Sequence, residues 1–113
     1  MLDRPITHQV APKALPIEIP EPAIQDFCQR HHIQVLALFG SVLREDFRDD
    51  SDVDILVQFL PGKTPGFQIV TMQDELTQLF GKVVDLRTPA ELSRYFRDRV
   101  LAEAYILYKQ ISI

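Results

Sequence analysis

The stretch that most restricts this chain is "DVDILVQF", residues 52–59. It has the apolar, β-branched character of a buried strand, yet Asp50, Asp52 and Asp54 stand at every second position as it begins. On a strand alternate side chains share a face, so Asp52 and Asp54 project together while Val53, Ile55 and Val57 turn to the core. Neighbouring carboxylates repel, and each has its pKa raised unless a cation lies between them. A divalent metal removes the conflict, and hard oxygen ligands of this kind select Mg²⁺, which binds one or two carboxylates together with substrate phosphates. A third acid, Asp85, interrupts "KVVDLR" (82–87), where a strand favours another apolar residue. If that strand lies beside the first, three acids converge. Such a set suits two ions roughly 3.5–4 Å apart, the spacing that clamps attacking and leaving oxygens in phosphoryl or nucleotidyl transfer.

Upstream, "IQVLALF" (33–39) reads as a buried strand that ends in Gly40 and Ser41. Gly40 lets backbone approach a phosphate closely, and a short helix expected over "SVLREDF" would turn its N-terminus toward the same anion. Ser41 adds a hydroxyl donor. Ten residues separate Ser41 from Asp52, enough for that helix and a return loop bringing the phosphate cradle beside the acids. An EF-hand loop starting at Asp50 fails, since it would need Gly where Ile55 stands and Glu where Pro61 stands. Neither a Walker A sequence nor a Gly-x-Gly-x-x-Gly run is present.

The rest of the chain supplies a scaffold. At 113 residues it is expected to form one domain, with no room for a second, substrate-sized one. The first 22 residues hold five of the eight prolines, so residues 1–21 are expected to form an extended or flexible arm and 22–113 the folded domain. Pro22 suits the first turn of a helix carrying Ile24, Phe27, Cys28 and His31 at helical spacing, with Cys28 in the core. A helix is expected over 67–80, where Ile69, Met72, Leu76, Leu79 and Phe80 share a face and Gly81 ends it. Thr88, Pro89 and Glu91 spell a capping box opening a helix to about Ala102, with "AYILY" a last short strand. Strands alternating with helices give an α/β (α+β) fold, a sheet with helices packed on it. A net charge of −4 without a basic stripe argues against direct DNA binding or an anionic membrane. The single cysteine excludes an internal disulfide, and no apolar run reaches a membrane span. The start lacks the basic-then-apolar order of a signal peptide, and a cytoplasmic location is expected.

"GSVLREDFRDDSDVD" resembles the signature of the DNA polymerase β-type nucleotidyltransferase superfamily: Gly-Ser, a ten-residue gap, then Asp-x-Asp. The short length, "FGS" and "SDVDILV" are similar to the minimal nucleotidyltransferases (MNT), antitoxins paired with HEPN-domain toxins. The likeness covers residues 33–108. It implies a nucleotidyltransferase fold with a small mixed β-sheet. It implies that Asp52, Asp54 and Asp85 are the catalytic, Mg²⁺-binding carboxylates, with two ions, and that Gly40 and Ser41 hold the triphosphate of ATP. Arg44 falls where many relatives carry a basic residue, with a role toward the phosphates; Glu45 stands where relatives often have Gly. The implied activity is that of an antitoxin transferring AMP from ATP to a tyrosine of a HEPN ribonuclease toxin. The alternatives are a non-catalytic antitoxin that acts by occlusion, or a small-molecule nucleotidyltransferase, which this length disfavours. Arg94, Arg97 and Arg99 mark either a surface for partner or phosphates or a solvated helix face.

Overall fold

The computed structural model describes residues 15–110; residues 1–14 of the expected arm lie outside them. The elements are α1 (Glu21–Arg30), β1 (Ile33–Phe39), β2 (Val53–Phe59), α2 (Gln68–Phe80), β3 (Val84–Arg87), α3 (Arg97–Glu103) and β4 (Tyr105–Lys109), with 3₁₀ turns at Gly40–Leu43 and Pro89–Glu91. The strands form one mixed sheet in the order β3-β2-β1-β4. β1 runs antiparallel to both β2 and β4, whereas β2 and β3 are parallel. A parallel pair needs a crossover long enough to return the chain, and α2 provides it.

The period-2 pattern divides the sheet's two faces. Leu36 lies opposite Val57 and Leu38 opposite Ile55. These four, with Val53, Val84, Ile24, Phe27, Met72 and Leu76, form the main core beneath α1 and α2. Leu15, Ile17 and Ile19 pack on this core too, ahead of α1. The intervening residues Phe39, Asp54 and Asp85 fall on the other face by register, and that face carries the chemistry. Gly81 ends α2 in the left-handed region (φ 70°), its N–H donating to the Thr77 carbonyl at 2.9 Å.

Two expected helices are shorter than the sequence suggests. "SVLREDF" forms only the 3₁₀ turn: Arg44 N–H donates to the Ser41 carbonyl at 2.9 Å and Arg44 is then extended (φ −118°, ψ 167°). Of residues 45–50 only Phe47 is apolar and packs on the core, too little to hold a longer helix there. Little helix dipole is therefore available to a phosphate at this turn. At Thr88 the capping box does form, with its N–H donating to Glu91 Oε1 at 2.8 Å, but it closes only the 3₁₀ turn. Leu92 is extended (ψ 145°) and buried, and the chain restarts at Ser93, whose carbonyl accepts the Arg97 N–H at 2.9 Å before α3 begins. Anchoring Leu92 overrides the helical propensity of the segment.

Cys28 is fully buried, and desolvation pushes its thiol up to about 12. The folded protein at pH 8 should therefore resist a maleimide, with labelling, followed by intact mass, proceeding at the rate of unfolding.

Candidate active site

β2 and β3 are in register so that Asp54 lies directly beside Asp85. Asp54 is half-buried, and its carboxyl is raised above the usual range, first by burial and then by the charges of Asp85 and Asp52. Asp52, one residue before β2, is exposed. Its backbone is set by the loop behind it, where Lys82 Nζ donates to the Asp49 carbonyl (2.9 Å), Arg48 N–H donates to Ser51 Oγ (3.0 Å) and Val53 N–H donates to the Val83 carbonyl (2.8 Å). Asp85 is held by a salt bridge from Arg87 Nε to its Oδ1 at 3.1 Å. That bond raises the Arg87 guanidinium further above its ordinary value.

β3 is an edge strand of four residues, and α2 fixes it. Val84 N–H donates to Thr77 Oγ1 (3.0 Å) and Leu86 N–H to Gln73 Oε1 (2.9 Å). Thr77 and Gln73 are four apart on α2, so both face the strand. The two side chains satisfy the amides on either side of Asp85.

Gly40 sits against the same carboxylate. It adopts φ 77°, and a Cβ built on it would collide with Asp54 Oδ2 and lie 3.3 Å from Cγ. The glycine is thus demanded twice, by a left-handed backbone and by the closeness of Asp54. The group approached in this structure is the acid itself, whereas the sequence suggested a phosphate.

Two recesses open on Asp54. The larger, about 550 Å³, is bordered by Gly40, Arg44, Phe96, Arg99, Val100 and Glu103. Its size is within the range of small-molecule sites. The smaller, about 290 Å³, is bordered by Asp85, Arg87, Glu91, Ser93 and Phe96. Phe39 and Phe96 line both. The fold thus brings Asp54, Asp85, Gly40 and Arg44 to one place. Ser41 lies behind Gly40, half-buried, and lines neither recess. The three arginines of the last helical segment divide: Arg99 borders the larger recess, Arg97 Nη2 donates to the Leu92 carbonyl (3.0 Å), and Arg94 lies 6.0 Å from the Tyr95 ring centroid. Phe39, Phe96, Arg87, Val100 and Glu103 escaped sequence reasoning, because no spacing rule marks the wall of a recess built from separate elements. The one available signal was Phe96, an aromatic among arginines in a polar stretch.

The donor set suits a divalent cation. Among the described residues no three His, Cys, Asp or Glu side chains gather closely enough to cage a metal. Mg²⁺ requires no such cage, since it keeps waters and takes one or two carboxylates plus substrate oxygens. The mutual repulsion at Asp54 is the charge such an ion would balance.

A mixed four-stranded sheet with register-matched aspartates and a glycine turn defines a nucleotidyltransferase of minimal size. The chain belongs to the polymerase beta nucleotidyltransferase family, whose profile matches residues 23–112. Over 75 residues it is 36% identical to the provisionally named protein adenylyltransferase MJ0435 of Methanocaldococcus jannaschii, covering 66% of this chain and 80% of that protein. A solved structure described provisionally as a minimal nucleotidyltransferase is 36% identical, with a TM-score of 0.62 over 74% of this chain and 85% of that one. The fold also matches a chain in a re-refined structure of tri-AMPylated Shewanella oneidensis HEPN toxin in complex with MNT antitoxin, with a TM-score of 0.58 at 21% identity over 80% of this chain and 70% of that one. No helix among the described residues is long and apolar enough to cross a membrane.

Proposed function

We propose that this protein is an antitoxin that transfers AMP from ATP to a tyrosine hydroxyl of a HEPN-family toxin, with Mg²⁺ as its cofactor. The observation that carries the reading is the Asp54–Asp85 register pair, pressed against Gly40 and opening on a recess of nucleotide size. The adenylyltransferase relative and the AMPylated toxin complex support the direction of transfer and the class of acceptor.

In this mechanism two of Asp52, Asp54 and Asp85, together with substrate oxygens, would hold each cation, which when bound would neutralise the triphosphate and acidify the attacking hydroxyl. Arg44, exposed at the rim of the larger recess, binds phosphate oxygens; the motif assigns Ser41 the same task. The acceptor oxygen forms a bond to the α-phosphorus, the α–β bridging P–O bond breaks, and pyrophosphate leaves with the bonding electrons. The hydroxyl proton passes to Asp85, which lies beside Asp54 on the adjacent strand and borders the smaller recess but not the larger. Arg87 holds this carboxylate toward the site until substrate arrives.

ATP binding measured by calorimetry should require Mg²⁺ or Mn²⁺. Asp52→Asn and Asp54→Asn should each weaken it by at least roughly tenfold, the lower end of what even outer partners of a metal cost when removed. Equal affinity in EDTA would contradict a metal-bridged site.

A further inference from the structure

We infer that this protein carries a second acceptor for AMP within its own chain: when no partner hydroxyl fills the smaller recess, Ser93 takes the adenylyl group from ATP. The inference rests on the transfer reaction proposed above and adds to it a self-modification that limits the activity.

Among the residues that border either recess, Ser93 is the only one with a hydroxyl, and it shares the smaller recess with Asp54 and Asp85. It is exposed, yet its backbone is fixed from both sides. Leu92 anchors the chain just before it, and the Ser93 carbonyl accepts the N–H groups of Phe96 (3.2 Å) and Arg97 (2.9 Å). The side chain is engaged too. Tyr95 N–H donates to Ser93 Oγ at 3.2 Å, a bond that uses an oxygen lone pair and leaves the O–H proton available to a base. Neighbouring hydroxyls lack this placement. Thr88 Oγ1 donates to Glu91 Oε1 at 3.3 Å, and Tyr95, 90% exposed, borders neither recess. A nucleophile held in the same recess as the acids needs no encounter with a second molecule.

The step balances as the partner reaction does. Ser93 Oγ forms a bond to the α-phosphorus of ATP, the α–β bridging P–O bond breaks, pyrophosphate leaves with the bonding electrons, and the serine proton passes to Asp85. The product is a serine phosphodiester whose nucleoside lies at a recess of only about 290 Å³. It obstructs entry of a partner's hydroxyl, so a chain that has spent its turnover on itself is silenced.

The test is intact mass and peptide mapping of the full chain, purified apart from any HEPN partner and incubated with magnesium ATP. One adenylyl group per chain is expected, on Ser93, with a rate constant unchanged by tenfold dilution. Ser93→Ala should lose the adduct at least tenfold, and Ser93→Thr, which keeps the hydroxyl, should regain it. Chain carrying the adduct should transfer AMP to the partner at least tenfold more slowly than unmodified chain. An adduct on another residue, a rate that falls with dilution, an undiminished adduct in Ser93→Ala, or equal transfer by modified and unmodified chain overturns the inference. So does a chain that stays unmodified while the same preparation adds AMP to the partner, and in that case the proposed function stands. An adduct on Ser93 without transfer to the partner would instead sink the proposed acceptor and leave the self-modification in place. Absence of both reactions overturns both.

Discussion

Asp85→Asn is expected to lower AMP transfer to the toxin by roughly 10²- to 10⁴-fold, the usual contribution of a positioned general base. ATP binding and association with the toxin should survive. The split arises from position: Asp85 borders the smaller recess but not the larger one lined by Gly40 and Arg44, so it is expected to act chiefly in the transition state. Asn keeps the shape of the side chain, and the amides flanking residue 85 remain bonded to Thr77 and Gln73, so β3 should hold its place. Intact mass of the toxin after incubation with ATP and Mg²⁺ measures the loss, paired with a growth assay. A mutant that adds no AMP yet protects cells as well as wild type would show that the antitoxin acts by occlusion.

The second large effect is expected at Gly40. Gly40→Ala places a Cβ where Asp54 Oδ2 now lies and forces a left-handed backbone on an L-residue. The backbone alone costs about 1–2 kcal/mol. Displacing the central carboxylate by even an ångström should cost about 10²-fold in rate. Gly62→Ala is the matched control: it has φ 76°, with nothing within 4 Å of its would-be Cβ. Both variants should lose similar stability in urea unfolding, and only Gly40→Ala should lose transfer. Equal activity in the two would mean that Gly40 serves the turn and not the acid.

Much of this site was legible because its acids lie within short, strongly patterned strands. The alternation at Asp52 and Asp54 fixes which face of β2 they share, and the parallel pairing of β3 then sets Asp85 beside Asp54. The capping box at Thr88 and the glycine stop at Gly81 were readable for the same reason, being local contacts between residues three or four apart. The path of the chain beyond Glu91 was not readable in this way. Leu92 is drawn to the sheet by burial, a tertiary demand that breaks a segment whose local signals all favour helix. Beyond this break Phe96 joins Phe39 and Asp54 in lining both recesses. Similarly, "SVLREDF" has helical composition, but its apolar residues Val42, Leu43 and Phe47 reach the core from a 3₁₀ turn and the extended chain after it, a tertiary outcome that local signals do not reveal.

The clasp of Thr77 and Gln73 on β3 bears on how this protein meets other chains. A short strand at the rim of a sheet ordinarily presents bare amides that invite a foreign strand to zip on. Here two of those amides are already spoken for by α2, so the rim that carries Asp85 is closed to such recruitment. At this edge a partner must therefore come to the chemistry through side chains and surface shape rather than by adding a strand beside β3. Pairing specificity can then drift with the loops around Phe96 while the aspartate ladder beneath stays untouched.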